Sequence, residues 1–204
     1  FLNRIEAQYA YVRNPMNIRQ VSSISLSPEL VDCIVFWSKN PRPLMDRSEQ
    51  LHSYMYYFQF TLNAYGKEIE PGVPGIEESM ETLIRLSEQV GKQRVAWRYD
   101  PVLLTKEYTI DRHLETFERM AERLSSYVDR CIFSFVEMYK KLQYNMPELI
   151  VLSEQNREIL ARGLGAVAGK YGMDIQTCGT NGDYSHYGIR SSGCMTLEIL
   201  GGAN

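Results

Sequence analysis

The chain has 204 residues, 44% of them apolar and 23% charged, and its formal net charge at pH 7 is −3. This length and composition suit one globular domain with a single core, which we expect to cover residues 1–204. The absence of a long Lys/Arg run disfavours a nucleic-acid-binding protein, and the absence of an apolar stretch of roughly 20 residues disfavours a membrane-spanning protein. Only four widely spaced cysteines are present, which disfavours a secreted disulfide-rich domain and favours a cytoplasmic location.

The first elements of the chain are short. Residues 1–5 fit the end of a helix, residues 9–12 fit a strand, and residues 21–26 form an imperfectly alternating extended segment. The Ser27-Pro28 pair is typical of a helix start. Because the chain opens without Met and closes on Gly-Gly-Ala-Asn after an apolar segment, we expect both ends to be cuts through a longer protein.

Five short apolar runs come next, and each ends in a cluster of polar residues. Strands that alternate with helices and carry polar residues at their ends are how α/β enzymes build a site. The first run is uniformly apolar, so we expect a strand that is covered on both faces. The runs span residues 33–37, 56–61, 95–101, 131–137 and 174–178.

Amphipathic helices are predicted between most of these runs. Apolar side chains recur there at spacings of three and four residues, over 77–90, 111–128 and 153–171. Three glycines weaken the last helix relative to alanine, so we expect them to permit close packing. They are Gly163, Gly165 and Gly169.

Alternating strands and helices predict a parallel sheet with right-handed crossovers. No Gly-rich phosphate-binding loop follows an early strand, which disfavours a nucleotide-binding open sheet. Polar residues close nearly every strand, whereas an open sheet concentrates them at one switch point. We therefore expect a partial or closed (β/α) TIM-like barrel of about six parallel strands with outer helices.

In such a barrel the carboxyl ends of the strands converge, so their polar residues are expected to surround one cavity for a small-molecule substrate. Lys39 and Arg98 supply positive charge suited to a carboxylate or phosphate. Asp100 and Glu137 could hold those cations or move protons. The further residues that we expect to bind substrate are Asn40, Gln59, Thr61, Tyr99 and Ser134.

Structural interpretations of the same residues stay open. Arg98 and Asp100 could form an ion pair that only joins strand ends. Trp37 and Trp97 are expected to fill the barrel or the layer between helices and sheet rather than stack on a ligand. His113 is expected to be a solvated residue on a helix face.

The four cysteines divide into two kinds. Cys33 and Cys131 begin apolar strands and are expected in the core. Cys178 and Cys194 each lie beside Gly in a turn-rich stretch, where thiols could be ligands of a metal or an iron–sulfur cluster. Two cysteines fifteen residues apart are not a ligand set by themselves.

Several of these motifs, in this order, resemble a bacterial family catalogued as domain of unknown function 1848. The resemblance runs from about Phe1 to about Leu200. It rests on residues 12–15 (VRNP), 31–41 (VDCIVFWSKNP), 57–61 (YFQFT), 97–101 (WRYDP) and 177–178 (TC).

The resemblance implies a relative of radical S-adenosylmethionine enzymes with a barrel-like fold. Full-length members are similar to cluster-binding proteins because a C-x-x-C-x-Y-C tail follows this region. It therefore implies a [4Fe-4S] cluster and S-adenosylmethionine in the full-length protein, with Cys178 and Cys194 near the cluster. The chain departs from the family in lacking the Ser- and Arg-rich first strand before Phe1, the Cys-rich tail after Asn204, and the acidic residue usual near these two cysteines.

Three functions compete at this point. The leading hypothesis is the body of a radical-SAM-like iron–sulfur enzyme of unassigned reaction, whose cavity holds a charged or polar small molecule through Arg98, Lys39 and Asp100. The alternatives are a cluster-independent barrel enzyme with Asp100 or Glu137 as base, and a domain that binds a small anion. All of these hypotheses depend on five side chains lying around one opening: Lys39, Gln59, Arg98, Ser134 and Cys178.

Overall fold

A computed structural model describes residues 1–193 and residue 196. The helices are α1 Leu2–Ala7, α2 Arg42–Met45, α3 Ile76–Val90, α4 Ile110–Leu124, α5 Lys140–Asn145 and α6 Glu154–Lys170. The strands are β1 Tyr9–Arg13, β2 Val21–Ser25, β3 Ile34–Ser38, β4 Tyr56–Thr61, β5 Val95–Val102, β6 Arg130–Phe135, β7 Asp174–Thr177 and β8 Arg190–Ser191. Among the described residues, no helix combines the length and apolar character that a membrane span requires.

The central sheet contains six parallel strands in the order in which they occur along the chain, β3-β4-β5-β6-β7-β8. This confirms the expectation of about six parallel strands alternating with helices. The closed form of the expected barrel is not found, because in the described part of the chain β3 and β8 do not pair and remain the two edges of the sheet, and the partial barrel stays a prediction. The fold is therefore a mixed α/β fold with an open parallel sheet.

The main hydrophobic core lies between one face of the sheet and the helices α3, α4 and α6. With sequential strand order, right-handed crossovers carry successive helices to the same face. Trp97 of β5 is fully buried there and stacks on Phe117 of α4, with 4.8 Å between ring centroids. Cys131 is also buried in this layer, so the predicted burial of Trp97 and of Cys131 is confirmed.

The two N-terminal strands form a separate antiparallel hairpin. β1 and β2 pair with each other in register from Tyr9 with Ser25 to Arg13 with Val21, and they do not join the parallel sheet. Most of their residues are exposed. The one short turn that Ser27-Pro28 predicts is present, closed by the hydrogen bond from the Leu30 amide to the Ser27 carbonyl.

Strand β3 differs from its predicted environment. Its uniformly apolar sequence predicts a strand covered on both faces, but β3 is an edge strand and its residues are half-buried or exposed. Trp37 is 52% exposed, so the expectation that it fills the core is wrong. The apolar pattern did not reveal the edge position because that position depends on which strands pair.

The three glycines of α6 have different surroundings. A Cβ atom on Gly165 would lie 2.4 Å from the Tyr187 carbonyl oxygen, and one on Gly163 would lie 2.5 Å from the flexible Leu114 side chain. Nothing lies within 4 Å of a Cβ on Gly169. The expectation of close packing is therefore confirmed at Gly165 and Gly163 and is wrong at Gly169.

Alanine substitutions at these positions are expected to have opposite effects. Gly169→Ala removes the entropic cost of a helical glycine and should stabilise the protein by about 0.5–1 kcal/mol. Gly165→Ala forces the segment around Tyr187 away from α6 and should destabilise the protein by about 1–3 kcal/mol. Urea unfolding of both variants measures the two effects, and equal signs for them would contradict this account of α6.

Candidate active site

The two faces of the parallel sheet have different neighbours. Phe58, Trp97 and Phe133 belong to the core beneath the helices. Tyr57, Ala96 and Ile132 alternate with them and form a small cluster made of sheet residues and segments that adjoin the strands. Because successive side chains of a strand point to opposite faces, the second set marks a face that the helices leave uncovered. We call it the helix-free face.

A polar network occupies the carboxyl ends of three neighbouring strands on the helix-free face. Arg98 of β5 donates to the Gln59 side-chain oxygen on β4 at 2.7 Å and, through Nε, to Asp100 Oδ2 at 3.1 Å. Its Nη2 also contacts Asp100, and Ser134 of β6 donates to the other carboxylate oxygen of Asp100. The Arg98 and Gln59 side chains are almost completely buried, whereas Asp100 and Ser134 are partly accessible.

The network continues into the loop after β4. Asn63 accepts a hydrogen bond from the Asp100 amide at 2.7 Å and donates to Glu70 at 2.9 Å. Lys39, which follows β3, donates to the same Glu70 oxygen at 2.5 Å. One continuous series of contacts therefore joins Lys39, Glu70, Asn63, Asp100, Arg98, Gln59 and Ser134.

The network contains as many carboxylates as cations. Lys39 pairs with Glu70, and Arg98 pairs with Asp100. The ion pair that the sequence left as a structural alternative is therefore present. Its position at strand carboxyl ends is also where parallel α/β folds place their ligands. Burial of Arg98 makes the pair strong and geometrically fixed, while the accessible edge of Asp100 leaves a group that can contact a ligand.

Three of the five predicted substrate-binding residues lie outside the network. Tyr99 is buried on the helix-covered face, where its hydroxyl donates to His113 Nδ1 at 2.6 Å, so it does not face Arg98 and Asp100. Asn40 is exposed, and its side chain accepts from the Arg42 amide in the turn that starts α2. Thr61 is paired with Arg98 in the β4–β5 register and thus shares its face, but among the described residues its side chain makes no hydrogen bond to the network.

Glu137 lies in a different cavity. It follows β6 by two residues, its side chain is 57% exposed, and it accepts from Arg157 of α6 at 3.4 Å. That cavity has a volume of 540 Å³ and includes Glu158 and Tyr184 among its lining residues. The prediction that Glu137 works beside Asp100 gains no support from this geometry.

The cysteines of the described chain do not converge. Cys131 lies beneath the helices, and Cys33 precedes the start of β3, whereas Cys178 follows the end of β7. Burial raises the pKa of the Cys33 and Cys131 thiols, which opposes formation of the thiolates that a metal needs. Cys178 is disulfide-bonded, and Cys194 lies outside the described residues.

A cluster or metal site cannot be assembled from these donors alone. A [4Fe-4S] cluster is typically held by cysteine thiolates. Within residues 1–193, no group of three His, Cys, Asp or Glu side chains is placed to hold a metal ion. The described donors therefore do not fit the cluster by themselves, and the ligand roles of Cys178 and Cys194 stay a prediction.

The sequence reading missed Asn63 and Glu70. Both are in the loop after β4, which reads only as a turn-rich connection. Asn63 is 3% exposed and Glu70 has 11% side-chain exposure, values that a polar loop residue reaches only when its surroundings supply hydrogen bonds. The one available signal was the position of Asn63 two residues beyond Thr61, at the end of a buried strand.

A second set of polar residues lies nearer the amino ends of the strands. Asp174 of β7 accepts from Arg190 Nε at 3.1 Å, from Arg130 Nε at 3.3 Å and from Gln176 Nε2 at 2.6 Å. Burial raises the pKa of the Asp174 carboxyl, but the hydrogen bonds from Arg190 and Gln176 outweigh it, so the net pKa is lowered. These contacts tie β6, β7 and β8 together on the helix-free face.

Comparison with known proteins gives one family. The family model described as domain of unknown function (DUF1848) matches residues 1–204. No curated protein and no solved structure matches the chain.

Proposed function

The chain belongs to the family described as domain of unknown function (DUF1848), and from the contacts on the helix-free face we propose that it is an enzyme which binds a small polar molecule beside Asp100. The observation that supports this most is the continuous network from Lys39 to Ser134. Its residues come from β4, β5, β6 and the segments that follow β3 and β4, and they meet at the carboxyl ends of those strands.

Asp100 is the residue we assign to proton transfer. It is the partly accessible carboxylate of the network, and Arg98 and Ser134 hold its two oxygens in place. A carboxylate with fixed geometry can accept a proton from a substrate that hydrogen-bonds to it. Lys39, whose side chain is 41% exposed, borders the accessible part of the network and orients a ligand, and the more buried Glu70 holds it in place.

The balance of charges favours this function over binding of a small anion. Each cation of the network is already paired with a carboxylate, so an anion would have to compete with Glu70 or Asp100. A polar molecule that exchanges hydrogen bonds with the network needs no such displacement. The anion-binding domain is therefore the weaker alternative.

Iron–sulfur chemistry of the radical-SAM type is a further proposal that rests on the resemblance. The network at Asp100 is compatible with it, since the substrate of such an enzyme would also need a polar site. Cys178 follows β7 beside Ser134 on the helix-free face, but it is disulfide-bonded, and Cys33 and Cys131 lie elsewhere, so we assign no step of the reaction to a cluster.

Turnover in deuterated water tests the function of Asp100. The full chain is incubated with a panel of aldoses, ketoses, hydroxy acids, amides and esters, and proton NMR follows both hydrolysis and exchange of carbon-bound hydrogen. Asp100→Asn is expected to lower the rate on any substrate found by about 100-fold, because the amide cannot accept the proton.

Glu137→Gln is the matched control, since it removes a carboxylate from the neighbouring 540 Å³ cavity instead. It should keep the rate within about twofold. An Asp100→Asn variant as active as the native chain would refute the assignment, and so would a panel without any turnover.

A further inference from the structure

One buried polar atom on the helix-free face has no hydrogen-bond partner. Gln176 of β7 is 2% exposed, and its Oε1 finds no partner among the residues that the structure describes. Its Nε2 donates to Asp174 Oδ2 at 2.6 Å. Because a carboxylate only accepts, this contact fixes which end of the amide is nitrogen and leaves the oxygen directed away from Asp174. Proteins seldom leave such an acceptor unmatched.

Gln176 is level with the candidate active site. Arg98 is paired with Ile132 in the β5–β6 register, and Ile132 is paired with Gln176 in the β6–β7 register. Two strand spacings separate Arg98 from Gln176, a distance of about 10 Å. A separation of about 10 Å is one that a sugar-sized molecule with a hydrogen bond at each end can span.

The chemistry of this position selects an uncharged donor. An amide oxygen needs a hydroxyl, an amide N–H or an ammonium group. Arg130 and Arg190 both bind the neighbouring Asp174, so two cations surround one carboxylate beside Gln176. Their positive charge disfavours an ammonium group. A hydroxyl or an amide N–H is therefore the expected partner of the Gln176 oxygen.

Hydroxyl groups match the whole surface best. The helix-free face offers acceptors at Asp100 and Gln176 and a donor at Lys39, and the Ser134 hydroxyl, whose proton goes to Asp100, can accept. A hydroxyl both donates and accepts, so several hydroxyls on one scaffold can satisfy these groups together. An anionic group would compete with Glu70 and Asp100 for the paired cations.

We propose that the site takes an uncharged, hydroxyl-rich molecule, a sugar or polyol, and that one of its hydroxyls donates to Gln176 Oε1. This inference rests on the proposed function and names its substrate class. The orphaned oxygen of Gln176 is the feature that carries it.

Titration of the full chain with three sugars that share the glucose ring and differ in charge tests the proposal. The probes are glucose, glucosamine and glucose 6-phosphate, and protein NMR shifts measure their affinities. Glucose is expected to bind at least ~10-fold more tightly than either charged sugar. Gln176→Met, which keeps the length of the side chain, is expected to weaken glucose binding ~10-fold because the donor hydroxyl then lacks its acceptor.

Gln89→Met is the control, since Gln89 of α3 donates to the Met45 carbonyl and to Ser48 outside the network. It should bind glucose as the native chain does. Gln176→Met should also keep its melting temperature within a few degrees, whereas a residue needed only for folding would lower it and leave the sugar affinities unchanged.

Three results would overturn the proposal: a charged sugar that binds as tightly as glucose, a Gln176→Met variant with native affinity, or no binding of glucose. If Gln176→Met does not fold, the ranking of the three sugars by the native chain decides. Asp100-dependent turnover of an amide or an acid without glucose binding would refute this inference alone and leave the proposed function intact.

Discussion

Arg98→Met is expected to lower the free energy of unfolding by about 3–5 kcal/mol, which is typical of removing one member of a buried ion pair. The Arg98 side chain is 7% exposed, and its loss leaves the Asp100 carboxylate, 21% exposed, without its cation. The buried side chain of Gln59 loses the Arg98 donor at the same time. Urea unfolding at neutral pH measures the change.

Lys39→Met provides the comparison within the same network. Lys39 also pairs with a carboxylate, but its side chain is 41% exposed, so the expected loss is at most about 1 kcal/mol. The double variant Arg98→Met/Asp100→Leu should recover part of the stability because it removes the uncompensated charge. A loss below 1 kcal/mol for Arg98→Met would show that the pair does not organise the strand ends.

Acid is expected to destabilise the protein through His113. The imidazole is fully buried beneath the sheet, and its Nε2 donates to the Leu103 carbonyl at 2.7 Å, so Nδ1 is the acceptor for Tyr99. Burial lowers the pKa of His113 from 6.5 to about 4. Between these values the unfolded state binds a proton that the folded state does not. Stability is therefore lost as the pH falls from 6.5 to about 4, by about 3 kcal/mol in total.

Chemical unfolding at several pH values isolates this contribution. His113→Gln can still donate to Leu103 and accept from Tyr99, so it should fold, with a shallower dependence of stability on pH between 4 and 6.5. His52→Gln, which changes an exposed histidine, should keep the native dependence. If both variants and the native chain follow the same curve, His113 is not the group that titrates.

Local patterns predicted much of the fold because its units are local. The helices α3, α4 and α6 follow from apolar spacing, and the strands β3 to β7 follow from short apolar runs. Whether the sheet closes is not local, since closure requires its first and last strands to meet. The same limit hid the exposure of Trp37, which depends on β3 being an edge.

The candidate site was predictable where strand ends supply it. Lys39, Gln59, Arg98, Asp100 and Ser134 were identified from their positions, and the structure joins them in one network. Tyr99 was misplaced although strand alternation puts it opposite Arg98 and Asp100. His113 was misjudged as solvated although helical spacing puts it on the face of Phe117.

The residues that sequence reasoning could not place depend on loops. Asn63 and Glu70 connect two halves of the network, and their hydrogen bonds cross from one loop to another strand. Glu137 lies only two residues beyond β6, yet the turn there directs it to Arg157. Loop paths are set by the packing of the whole fold, so spacing along the chain does not reveal them.

The sequential order of the strands also bears on how the chain acquires its structure. Register partners in neighbouring strands are only roughly 15 to 45 positions apart, from Gln176 with Arg190 to Arg130 with Asp174. Within the six described strands of the parallel sheet, each strand pairs with the strand that precedes it along the chain. During synthesis on the ribosome, β4 can therefore align on β3 and each later strand on the one before it, so that the Arg98–Asp100 pair is assembled before β7 has emerged.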